Sequence, residues 1–184
     1  MATTFYLNSS GFYASPLASL ARYNSRGSAT ATLSGTTNGS TWIFLGSWVT
    51  KPLEAFTLSG NVIMNVWGFE SANQANASLG MRIYRYIPST NSISGLIGQA
   101  SSAVELATNP AGSVRTGTLI SPPSTVFNSG DMIWIEMGIV NVGTMGTGQT
   151  VTLQYSGPTA GVSGDSYFTI TENVKLKNRN TITS

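Results

Sequence analysis

The stretch from residue 60 to 87 constrains the fold more than any other part of the chain, because its apolar residues recur at every second position. In the first half Val62, Met64 and Val66 fall on one face of an extended strand, with Ile63, Asn65, Trp67 and Phe69 on the other. In the second half Leu79, Met81, Ile83 and Ile87 alternate with Arg82, Tyr84 and Tyr86. A helix would need a period of 3.6 instead. The link over 71–77 is polar or alanine throughout and suits a solvated loop. The stretch therefore reads as the central antiparallel hairpin of an all-β sandwich.

The remaining chain agrees with that class. Short runs rich in Val, Ile, Thr, Trp, Tyr and Phe are expected as strands at 29–34, 41–49, 55–69, 78–87, 102–107, 113–120, 132–142, 149–155 and 167–176, with Gly, Pro, Asn and Ser between them. Along 132–142, Ile133, Ile135, Met137 and Ile139 are expected to face the core, with Met132, Trp134, Glu136 and Gly138 on the opposite face. Asn128-Ser-Gly-Asp131 forms the turn before this strand. Pro122-Pro123 and Gly157-Pro158 interrupt any ladder running through them. The expected fold is an antiparallel β-sandwich of jelly-roll type with an N-terminal extended arm. Its expected core holds Val62, Met64, Val66, Met81, Ile83, Ile133, Ile135, Leu153 and Ile170.

A chain of 184 residues suffices for one such core. The expected division is an arm over 1–28, the sandwich over 29–176 and a basic tail over 177–184. The arm carries Phe5, Tyr6, Leu7, Phe12, Tyr13, Leu17, Leu20 and Tyr23 without a strict period. Rings on a segment without its own core need a surface to lie on. They either pack on their own domain as an edge strand and loop, or serve as an inter-subunit or capsid contact. Charged residues make up 9% of the chain, against roughly 25% in ordinary soluble proteins. With so little charge, like subunits meet without much repulsion, which points to a homo-oligomer. Nine basic and seven acidic side chains are scattered, so no nucleic-acid partner is expected. No apolar run of about 20 residues is present to span a membrane as a helix, and the first residues lack the pattern of a signal peptide.

Chemistry is argued mostly by exclusion. His and Cys are both absent, which removes Ser-His-Asp and Cys-His nucleophilic arrangements, disulfides, and zinc sites built on either residue. Acid–base work on a sugar would need two of Glu54, Glu70, Glu105, Asp131, Glu136, Asp165 and Glu172 to face each other across a cleft, and none sits in a recognisable catalytic motif. The Gly-rich stretch starting at Gly143 lacks the Lys-Ser/Thr of a phosphate loop. Asp131 with Asn128, or Asp165, offers oxygen ligands for calcium, but a single carboxylate per turn favours an ordinary turn. Trp42, Trp48, Trp67 and Trp134 lie within expected strands, where packing is the commoner use. The expectation is a chain that is not an enzyme and uses no cofactor or metal.

The pattern also resembles a known group. Leu58-Ser-Gly-Asn-Val-Ile-Met-Asn-Val-Trp-Gly, Met81-Arg-Ile-Tyr-Arg-Tyr, Val104-Glu-Leu, Ser129-Gly-Asp-Met-Ile-Trp-Ile-Glu, Tyr155-Ser-Gly and Ser166-Tyr-Phe are similar to the strands and turns of jelly-roll structural proteins of tailed bacteriophage virions. The similarity runs from about residue 58 to 170. It implies a capsid decoration (cement) protein on the virion surface, made in the host cytoplasm. Its implied partners are itself, as a trimer, and the major capsid protein. The alternative it leaves open is a sugar- or receptor-binding jelly-roll module of a phage tail or fibre.

Overall fold

The alternating residues build two antiparallel sheets packed face to face. The structure is a computed structural model that describes residues 2–7, 21–23, 30–109, 112–119, 122–157 and 165–177. Its strands are β1 (Thr3–Tyr6), β2 (Ala21–Tyr23), β3 (Ala31–Thr36), β4 (Ile43–Val49), β5 (Phe56–Leu58), β6 (Val62–Glu70), β7 (Ala77–Ile87), β8 (Ser92–Ile93), β9 (Gly98–Ser101), β10 (Ser113–Leu119), β11 (Thr125–Phe127), β12 (Met132–Asn141), β13 (Thr150–Tyr155) and β14 (Tyr167–Ile170).

The first sheet runs β3-β13-β6-β10, and the second runs β4-β12-β7-β9. This distribution of eight principal strands over two sheets is a jelly roll. Short strands extend it. β14 shares one edge of β6 with β13 and carries β1 on its far side, while β8 lies on β7 and β2 runs parallel to β4. Where β13 gives way to β14 beside β6, the hydroxyl of Ser166 closes the gap. It accepts from the Trp67 amide at 2.9 Å and donates to the Gln154 carbonyl at 2.5 Å. β5 and β11 pair as a separate two-stranded ribbon.

All nine residues expected in the core are buried there, each at 1% exposure or less. At roughly 25 cal/mol per Å² of apolar surface, each large side chain among them contributes about 1.5–3 kcal/mol. Around them Trp48 meets Tyr155 edge-on at 5.2 Å, and Phe168 stacks on Phe5 at 4.9 Å.

The hairpin expected over 60–87 does not form. β6 and β7 lie in different sheets, linked by a 3₁₀ turn at Asn73–Ala75 and by Asn76 at φ 45°. Both strands bury one face in the same core, so they oppose each other across it instead of pairing side by side. Period two reports a buried face and says nothing of the lateral neighbour. Three strand expectations also shift. The run over 55–69 breaks between β5 and β6 at Ser59 and Gly60, whose amides bind the Glu172 carboxylate. The last strand ends at Ile170. The strand expected over 102–107 is replaced by β9, at 98–101, where a side chain on Gly98 would lie 2.4 Å from Leu119.

Of the arm, the first strand belongs to the sandwich. β1 pairs with β14, Phe5 and Leu7 enter the core at 6% and 1% exposure, and the Leu7 amide and carbonyl bond to Ser166 and Ser156. Phe5 and Leu7 are therefore corrected from contact candidates to core residues, because the in-register pairing with β14 turns them inward. Tyr6 points the other way and packs on Tyr167 at 5.6 Å. Phe12, Tyr13, Leu17 and Leu20 lie outside the described residues. Tyr23 is placed only as part of β2.

Candidate functional site

Three places gather functional side chains, and the first is the outer face of the second sheet. Here Ser47, Glu136, Arg82 and Gln99 stand side by side across β4, β12, β7 and β9. Tyr84 donates to Glu136 Oε2 at 3.0 Å, and Arg82 Nε donates to Gln99 Oε1 at 2.9 Å. Burial first, then the charge and hydrogen bond of Glu136, raise the Tyr84 phenol above its ordinary pKa. Beside this polar row Gly80 and Gly138 face each other, and the indole of Trp42 lies on them. A side chain at Gly138 would sit 2.5 Å from Trp42, and one at Gly80 3.0 Å from it. The Arg82 guanidinium stands 4.1 Å from the Trp42 ring centre, a cation–π distance. A β-bulge between Met137 and Gly138 sets Phe44 opposite Gly138, where its ring is 53% exposed. On the other flank Val49, Tyr86, Met132 and Trp134 form a second apolar cluster, and the buried Trp134 indole nitrogen has no acceptor among the described residues. Tyr86 and Trp134 are thus covered within the chain.

The second place is the end of the sandwich beneath the segment 102–109. Glu70 ends β6 with its side chain turned inward at 1% exposure, and its Oε2 accepts from the Ala77 amide at 3.4 Å. Glu105 is its neighbour, and neither carboxyl Oε1 has a hydrogen-bond donor among the described residues. Two carboxyl groups can hydrogen-bond only if they share a proton. Burial, then the hydrogen bond and charge of Glu105, push the Glu70 pKa from 4.5 up to about 7, against the opposing pull of the Ala77 amide and Arg115. Arg115 fastens the same segment, donating from Nε to the carbonyls of Glu105 at 2.8 Å and Val104 at 3.2 Å, and from Nη2 to Glu105. The pair can hold or release one proton near neutral pH.

The third place is the outer face of the first sheet. Thr4, Tyr6, Thr169, Tyr167, Ile63, Asn65, Trp67, Phe69, Val114, Thr116, Thr118, Thr152 and Gln154 lie on it in register, and none carries a charge. The small polar groups bond sideways: Thr4 to Thr169 at 3.2 Å, Ser34 to Thr152 at 2.8 Å, and Thr116 to Asn65 at 3.1 Å. Trp67, Phe69, Tyr6 and Tyr167 are half-buried, and Val114 is exposed.

Two further acidic residues have local structural duties. Asp131, a calcium candidate, accepts from Arg85 Nε at 2.7 Å and from the Asn128 amide at 2.6 Å, which makes it the anchor of the turn before β12. Glu172 holds the β5–β6 junction. Among the described residues no three acidic side chains gather as a metal site.

The fold and these surfaces define an all-β jelly-roll sandwich. No protein family matches the sequence, and no curated protein does either. Among solved structures it is similar to a CocE/NonD family hydrolase from Staphylococcus aureus, with a TM-score of 0.62 and 13% identity over 96% of this chain and 36% of that one. It is also similar to an aminopeptidase from a marine sediment Thaumarchaeota archaeon, with a TM-score of 0.58 and 8% identity over 95% of this chain and 37% of that one. The infectious bursal disease virus VP2 subviral particle matches at a TM-score of 0.40 and 12% identity, over 97% of this chain and 34% of that one. The chain spans just over a third of the length of each. At such identities the likeness shows the fold alone. It nonetheless corrects the expectation that this chain is not an enzyme, because the two structures named above with TM-scores over 0.5 are a hydrolase and an aminopeptidase. A sandwich of this kind occurs within hydrolytic enzymes, so neither its fold nor its lack of His and Cys places it outside them.

Proposed function

We propose that this chain is a structural component of a virus particle that decorates and stabilises a capsid, seated through the outer face of its first sheet. The observation that carries the reading is that no described residue on that face carries a charge. Rings and threonine methyl groups can pack closely against another protein there without desolvating an ion. The similarity of its strand-and-turn pattern to virion proteins of tailed phages supplies the kind of particle. On this reading the partner is the major capsid protein. Copies of the chain associate as a trimer about a three-fold axis, with Phe12, Tyr13, Leu17, Leu20 and Tyr23 reaching a neighbouring subunit. Adding the purified protein to capsids stripped of it tests the proposal. Saturable binding in many copies per particle supports it, and a count of only a few copies per virion contradicts it.

A further inference from the structure

From the outer face of the second sheet we infer a binding site for a neutral glycan, separate from the face proposed to meet the capsid. The residues there divide into a ring platform and a row of paired polar groups. Phe44 is 53% exposed on a strand, held outward by the bulge and opposite Gly138, over which the Trp42 indole lies. A pyranose ring presents an apolar C–H face that stacks on such a ring. Next to it, Glu136 accepts, Arg82 donates, and Gln99 does both, all on neighbouring strands in one row. Adjacent sugar hydroxyls need that combination, since each can give one hydrogen bond and take another. Arg82 and Glu136 cancel in charge, so the site favours an uncharged ligand over an anionic one.

The site is also built before any ligand arrives. Trp42, on its two glycines, holds the Arg82 guanidinium at 4.1 Å, and Tyr84 holds Glu136 at 3.0 Å, so neither charged group is free to turn away. Strand-borne side chains fixed in this way lose little freedom on binding.

Titration calorimetry with neutral probes tests the inference: methyl glycosides of glucose, mannose and galactose, N-acetylglucosamine, and linear oligomers of each. Binding in the micromolar to millimolar range to at least one of them is expected. Phe44→Ala and Glu136→Gln should each weaken it about tenfold or more, the effect of losing one stacking or charge-assisted contact. Val126→Ser, an exposed position on the separate β5–β11 ribbon, should leave it unchanged. Unaltered thermal unfolding of Phe44→Ala would show that its loss of binding is local. The inference is overturned if no probe binds, if both site variants bind as well as the parent, or if only acidic sugars bind. It is also overturned if the parent self-associates through this face, with Phe44→Ala reducing its mass in light scattering and no sugar bound. None of these outcomes bears on capsid attachment through the first sheet.

Discussion

Glu70 and Glu105 bring two carboxyl groups together at the end of the sandwich, one from the last residue of β6 and the other from the irregular segment that follows β9. The folded state raises the Glu70 pKa from 4.5 to about 7. A raised pKa means that the folded chain holds its proton more tightly than the unfolded chain. The stabilisation is therefore fully present below about 4.5 and is lost as pH rises to about 7. A shift of this size corresponds to about 3 kcal/mol. Urea unfolding should show lower stability at pH 8 than at pH 5, and Glu70→Gln, which keeps a donor to Glu105 without a charge, should flatten the difference. Equal slopes for parent and variant would contradict the raised Glu70 pKa.

Glu172 acts with the opposite sign. Burial works to raise its pKa, but the Ser59 and Gly60 amides, with further hydrogen bonds, hold it below the ordinary value. Its contribution is present above the ordinary carboxyl pKa and fades as pH falls through the lowered one. Glu172→Ala should cost about 1–2 kcal/mol at neutral pH and much less in acid, read from the same unfolding curves.

Removing residues 1–28 takes away β1 of the first sheet and β2 of the second, together with Phe5 and Leu7. The truncated chain should be destabilised by several kcal/mol, about what losing two large buried side chains costs, and Phe168→Ala should approach the same loss at about 3–5 kcal/mol. Thermal unfolding measures both. An unchanged midpoint after truncation would place β1 outside the cooperative fold.

Gly138→Ala sets a methyl group against the Trp42 indole. The ring must leave its seat, and overpacking of this kind costs about 1–3 kcal/mol. A red-shifted tryptophan emission together with lower stability is the expected result, whereas an emission spectrum matching the parent would mean that the indole does not rest on the glycines.

Much of this architecture is legible in the sequence. The even-numbered positions of β6 and the odd-numbered positions of β12 announce the core, since a strand with one buried face must alternate. Pairing is not legible, because β6 and β7 would carry the same alternation side by side or facing each other. The carboxyl pair left one readable trace. Glu70 continues the parity of Val62, Met64 and Val66, so its charge sits on the buried face. Its partner could not be found, because Glu105 lies in a segment that has no period. The glycan face is hidden for a related reason. Glycines at 80 and 138 carry no signal of their own inside two expected strands, and only their register as direct neighbours shows that they clear space for a ring. Phe44 faces outward because of a bulge, which shifts parity without any mark in the hydrophobic pattern.

The claim that the first sheet seats this chain on a capsid is tested most directly by adding purified parent and Trp67→Glu protein to stripped particles and counting bound copies by quantitative mass spectrometry. Trp67 is half-buried on that face, so a carboxylate there places a charge at the proposed contact, where it would need to be desolvated, while the glycan site on the opposite sheet is left intact. The account predicts saturable, stoichiometric binding of the parent and loss of binding by a variant that remains folded. Binding of both proteins alike, or of neither, would contradict it.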